Sequence, residues 1–316
     1  MNRLVAAAAG GPGQFNTAAG GPGQFNTAAG GPGLFSAVVG GFAAAGAART
    51  AYALLNQRPP GGTKLWSRTN HRGEPVTLLE GPAVAAGAMV GALAAHPAIA
   101  MAGAGAAAFG AYDDLAGSGA RRGFRGHISA LLEGEVTTGT VKLAGIGATG
   151  VASSVMIGGT PADVVINAGL VASGANLLNL FDLRPGRAIK VTVGSTALVT
   201  ALGSKDAAAA TAATAVPLGA ALALLPEDLG ERAMLGDSGA NALGAMLGAA
   251  AAATLPRPAR LALLAGIVGL TAASEKVSFT RVIERNPALR WLDMLGRRPV
   301  SPPLPVKIPV PATPED

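Results

Sequence analysis

Three polar clusters interrupt a chain otherwise dominated by small apolar residues: Tyr112-Asp113-Asp114, the run from Asn176 through Asn179 to Asp182, and Gly236-Asp237-Ser238-Gly239. Each stands at one end of an apolar run of membrane length, where a carboxylate is costly unless a cation or charged partner meets it. Asp113 and Asp114 are neighbours that repel, so they gain most from a cation between or beside them. Carboxylate and amide oxygens, with no Cys and only His71, His96 and His127 as imidazoles, favour Mg²⁺ or Mn²⁺ over zinc. Such an ion at a basic membrane face suits phosphoryl transfer, where catalysis is mainly positioning and charge neutralisation. Asp237, just ahead of an apolar run, reads equally well as a helix cap.

The elements that must position these groups follow from composition. Half of the 316 residues are apolar and 13% are charged, with a mean hydropathy of +0.41. A soluble domain of that length would have too little polar surface to cover itself, and an integral membrane protein is the simplest reading. The lack of cysteine excludes disulfides, thiolate metal sites and cysteine nucleophiles. The net charge of +6 sits in short loops between apolar runs. That pattern marks cytoplasmic loops facing anionic lipid, not a nucleic-acid-binding surface.

The expected fold is all-α, a polytopic transmembrane bundle of about nine crossings. The runs are 34–55, 82–111 split in two at His96-Pro97, 139–158, 162–181, 188–203, 207–225, 238–255 and 261–274. Lys and Arg concentrate in alternate loops and in the tail, which puts the N-terminus outside and the C-terminus in the cytoplasm. Asp113, Asp114, Asp182 and Asp237 were not needed to set sidedness, yet all four fall at cytoplasmic helix ends. Small residues throughout suit close helix packing and a homodimer contact. Residues 1–33 form a Gly/Pro/Ala-rich leader in which residues 8–17 repeat unchanged at 18–27. Residues 34–275 form the membrane domain. Residues 276–316 combine a basic, partly amphipathic stretch, expected as an interfacial helix, with a Pro-rich tail.

The order of the clusters resembles the polyprenyl-phosphate N-acetylhexosamine-1-phosphate transferases, the superfamily of phospho-MurNAc-pentapeptide translocase and the glycosyltransferase family 4 enzymes. It shows in Asp-Asp after the third crossing, Asn-x-x-Asn-x-x-Asp (Asn176, Asn179, Asp182) ending the fifth and Gly-Asp-x-Gly opening the eighth, with Asn70-His71-Arg72-Gly73-Glu74-Pro75 like the family's basic loop. The resemblance implies Mg²⁺-dependent transfer of a sugar-1-phosphate from a UDP-sugar-like donor to polyprenyl phosphate, releasing a nucleoside monophosphate, at the cytoplasmic face of the plasma membrane in cell-envelope glycan synthesis. It implies that Asp113 handles the lipid phosphate, that Asp237 and Asp114 hold metal, and that Asn176, Asn179, Asp182 and Arg72 lie on the donor side. Lys142 is similar to a basic residue facing phosphate; snorkelling to the interface is its plainer reading.

Two departures accompany the likeness. The family continues Asp-Gly-x-Asp-Gly, whereas Asp182 is followed by Leu183-Arg184-Pro185-Gly186-Arg187. This charge inversion makes Arg184 and Arg187 candidates for a donor of different charge or more phosphate. The family's histidine-rich loop is missing as well, and Lys276 and Arg281 stand where they would replace it. Prenyltransferase and CDP-alcohol phosphotransferase acid spacings are absent from the sequence. A non-catalytic scaffold, transporter or regulator that keeps the fold is the competing expectation.

Overall fold

The computed structural model describes residues 34–93, 96–117, 123–203 and 207–299. The leader, Arg121, Arg122 and the Pro-rich tail lie outside them. In chain order the elements are α1 (Leu34–Gln57), α2 (Thr63–Trp66), β1 (Ser67–Thr69), β2 (Pro75–Thr77), α3 (Glu80–Leu93), α4 (Pro97–Ala116), α5 (Gly123–Leu132), α6 (Thr138–Ile157), α7 (Pro161–Phe181), α8 (Arg187–Leu202), α9 (Ala207–Leu229), α10 (Gly236–Thr254), α11 (Arg257–Ser274), α12 (Phe279–Arg285) and α13 (Pro287–Met294). Each apolar run is thus a helix. The short antiparallel β1–β2 hairpin was not expected.

Local chemistry sets the boundaries. The Thr137 hydroxyl accepts the Thr140 amide to start α6, which stops at Gly158 in a left-handed conformation, φ 84°. Thr160 and Asp163 form a reciprocal capping box on α7, with Pro161 in its first turn. At its far end Asp182 is the C-cap, and Gly186, at φ 71°, turns the chain into α8.

α1, α6, α7 and α9 are long and apolar enough to cross a membrane, and α11 with α12, bent by 93°, makes a fifth when the pair is counted as one span. Phe35 and Phe42 on α1, Val155 on α6 and Val268 on α11 point outward. Apolar outer faces of this kind suit a lipid surrounding rather than water, and the helices mark a membrane protein.

α10 forms the centre, buried almost from end to end and packed on α3, α4, α7 and α9. Its Ala and Gly content permits this. A Cβ at Gly244 would collide with the carbonyl oxygen of Gly174, so α7 and α10 meet backbone to backbone, the kind of approach that small residues allow in lipid. At the start of α10, Gly81 lets α3 rest on Leu235 and Gly239, and Gly110 lets α4 touch the main chain of Asp237. These contacts bring the ends of α3 and α4 to the first turn of α10.

Candidate functional site

The first turn of α10 has free backbone amides that need acceptors. Leu235, at the N-cap, supplies no side-chain bond; the acceptors come from other helices. Asp114, in the last turn of α4, accepts the Asp237 amide at 3.0 Å and the Ser238 amide at 2.9 Å. Asp182, at the end of α7, lies near enough to the Gly236 amide for that amide to favour its charged form. One of the three polar clusters therefore caps another, with the third beside them. Burial pushes the Asp182 carboxyl well above the usual carboxylate range, and the charges of Asp228, Asp237 and Asp114 add to this, while the Gly236 amide opposes it.

With the first turn of α10 capped from another helix, the Asp237 side chain is turned instead toward Lys142. The Lys142 ammonium, near the start of α6, sits 2.5 Å from an Asp237 carboxylate oxygen and 2.6 Å from one of Asp113. Thr138 stands within hydrogen-bonding reach of Asp113. Lys142 thus neither snorkels nor stands free: it bridges two acids from α4 and α10. Beside it lies a cavity of about 210 Å³ lined by Lys142, Asn176, Asn179, Asn241 and Glu275 among others. Asn176 also donates to the Thr271 hydroxyl at 3.3 Å.

Carboxylate oxygens are the hard donors that Mg²⁺ and Mn²⁺ take. Asp113 and Asp237 supply hard oxygens that converge on one cationic position, now taken by the Lys142 ammonium. Magnesium in phosphate chemistry is held by one or two carboxylates, with substrate oxygens and water completing the shell. Among the described residues no group of three or more His, Cys, Asp or Glu is arranged to hold a metal. Asp114, expected as a ligand, has its carboxylate engaged by two amides.

The remaining expected residues spread over the same end of the bundle. Arg72 is bound to Glu231 at 2.9 Å and to the main-chain carbonyls of Arg298 and Pro299. Arg187 is buried in a two-pronged bond to Asp293, at 2.7 and 3.0 Å, and donates to the Thr280 hydroxyl. Both arginines hold the structure together and have little left for substrate. Among the described residues, Arg184 bonds only the carbonyl of Leu183. Lys276 and Arg281 are exposed, away from the carboxylate–lysine centre's lining. The expected single interfacial helix is two, α12 and α13, broken at Asn286, whose side chain caps the second.

Several residues had gone unremarked in the sequence. Asn241 lines the cavity because it lies four residues after Asp237, on the same helix face; that spacing was a readable signal. Arg68 donates to the main-chain carbonyl of Asp114. Glu80 is fully buried at the head of α3, and neither carboxylate oxygen has a hydrogen-bond partner among the described residues; no local pattern announced it.

The chain matches no protein-family model and no curated protein. The functional reading therefore rests on the residues.

Proposed function

We propose that the chain is a membrane phosphotransferase that moves a sugar-1-phosphate from a nucleotide sugar to polyprenyl phosphate at the cytoplasmic end of a nine-crossing bundle in the plasma membrane, releasing a nucleoside monophosphate. One observation carries the reading: Asp113, Lys142 and Asp237, from three separate helices, meet at a single point beside a polar cavity. In the reaction, a lipid phosphate oxygen bonds to the sugar-bearing phosphorus as the bond from that phosphorus to the nucleoside phosphate breaks. The nucleoside monophosphate leaves with the bridging oxygen.

Asp113 orients the lipid phosphate, and Lys142, released from its acids, pairs with phosphate oxygens. Asp113 and Asp237 are the groups that would hold Mg²⁺, which when bound neutralises charge on the transferring phosphate. Asn176, Asn179 and Asn241 offer amide hydrogen bonds to the donor. Asp114 and Asp182 act as positioning residues through the first turn of α10. An apolar groove of about 660 Å³ between α7, α8, α10 and α11, reaching Phe181 at the cytoplasmic end of α7, suits the isoprenoid chain.

The competing reading, a scaffold that keeps the fold, draws on the ion pairs that already close the centre. One experiment separates the two. Purified full-length protein with Mg²⁺ and undecaprenyl phosphate is offered a panel of nucleotide sugars while nucleoside monophosphate is measured. Turnover with at least one donor is expected, falling by roughly 10²-fold or more in Asp113→Asn or Asp237→Asn, the scale of losing a preorganised electrostatic group. Folded protein that turns over no donor points to the scaffold.

A further inference from the structure

Outside the carboxylate–lysine centre, the β1–β2 turn, the Arg184 loop and α12–α13 enclose a second cavity of about 760 Å³. Its lining includes Arg72, Arg184, Arg290, Arg297 and Arg298, with Glu74, Glu284 and Asp293 as the acids. Most of these charges are already paired. Arg72 is bound to Glu231, Arg298 to Glu74, and Asp293 to Arg187 and Arg297.

The remainder is cationic. Arg184 spends one nitrogen on a neighbouring carbonyl, and Arg290 has no side-chain hydrogen bond or ion pair to another described residue. The Arg297 side chain is 8% exposed, and its Nε is buried without a hydrogen-bond partner among the described residues. Burial, and then the charges of Arg187 and Arg184, press the Arg297 guanidinium down against the pull of Asp293. His71 is lowered by burial and by Arg184, Arg297 and Arg72, against Glu231. Unspent guanidinium donors around a cavity are the chemistry that receives phosphate oxygens, often two at a time.

We infer that this basin, centred on Arg184, Arg290 and Arg297, is a binding site for a phosphate-bearing anion. The site is separate from the Asp113–Lys142–Asp237 centre and does not depend on the transfer reaction. The anion is either the phosphate chain of a soluble ligand or an anionic lipid headgroup. Glu284 is the acid in the lining that opposes it, with no ion pair of its own to another described residue.

The test is calorimetric titration of the full chain in detergent at low ionic strength. EDTA is present so that no divalent cation bridges an anion to Asp113 and Asp237. One arm uses inorganic pyrophosphate and the other a short-chain phosphatidic acid. Saturable binding is expected in at least one arm, and which arm saturates identifies the source. Arg184→Gln and Arg290→Gln should each weaken it by roughly tenfold, the scale of one charge-assisted bond. Glu284→Gln should tighten it, a gain that misfolding cannot mimic. The inference is overturned if neither ligand saturates, or if binding ignores all three substitutions.

Discussion

Lys142 on α6 holds its ammonium 2.5 Å from an Asp237 carboxylate oxygen on α10, and the same nitrogen reaches Asp113 on α4 at 2.6 Å. All three side chains are mostly sheltered, so the attraction is weakly screened and the loss of one partner leaves charge uncompensated. Lys142→Met should therefore destabilise the protein by about 3 kcal/mol, the scale for breaking a buried pair. Adding Asp237→Asn should recover part of that loss without restoring turnover. Thermal unfolding in detergent, beside the release of nucleoside monophosphate, reads both. A Lys142→Met protein as stable as the parent would show that the bridge contributes nothing.

The carboxylate of Asp114 accepts two backbone amides of α10. Asp114→Ala strands two amides and should cost about 1–3 kcal/mol. Asp114→Asn keeps one oxygen acceptor and should cost less. Hydrogen exchange at the amides of Asp237 and Ser238 would report the difference directly. Equal protection in the two variants would mean that water replaces the cap.

Asp293 ties α13 to the head of α8. Burial alone would raise its carboxyl, but the hydrogen bond from Arg187 and the charges of Arg187, Arg297 and Lys190 outweigh this and leave it below the usual range. A carboxyl depressed in the folded state stabilises above its unfolded value, about 3.9, and that contribution is lost as pH falls through the folded value. The α12–α13 segment should therefore stay docked at neutral pH and release only in strong acid. Asp293→Asn should release it at neutral pH. Proteolytic cleavage within 279–294 across a pH series measures this. An Asp293→Asn protein as resistant as the parent would exclude the latch.

The contact between α7 and α10 leaves no room for a side chain at Gly244. Gly244→Val should cost about 1–3 kcal/mol or more through overpacking and shift the two helices that carry Asp182 and Asp237. Gly269→Ala is the control: nothing lies within 4 Å of a Cβ there. Comparing the melting temperatures of the two tests whether close backbone approach holds the centre.

Much of this protein was readable before folding. The apolar runs become helices at nearly their expected limits because length, Pro and Gly are local properties. Pro97, Pro161 and Gly158 end or begin helices with no distant partner required. The grouping of Asp113, Asp182 and Asp237 at one end of the bundle was legible from the order of the clusters along an alternating chain. The β1–β2 hairpin was missed because three-residue strands carry almost no pattern. The break at Asn286 was missed because amphipathic spacing continues across it.

The sequence by itself determined which residues are acidic, which are helical and which helix ends carry the acids. Only the tertiary structure decided what each acid does. Asp113 and Asp114 are neighbours of one type, but on a helix adjacent side chains diverge by about 100°. One reaches Lys142 and the other the amides of α10. Arg184 and Arg187 flank one turn, yet Arg187 is consumed by Asp293 while Arg184 faces the basin. Partners on other helices, up to 124 residues away in the chain, set these roles, and no local pattern encodes the distance between them.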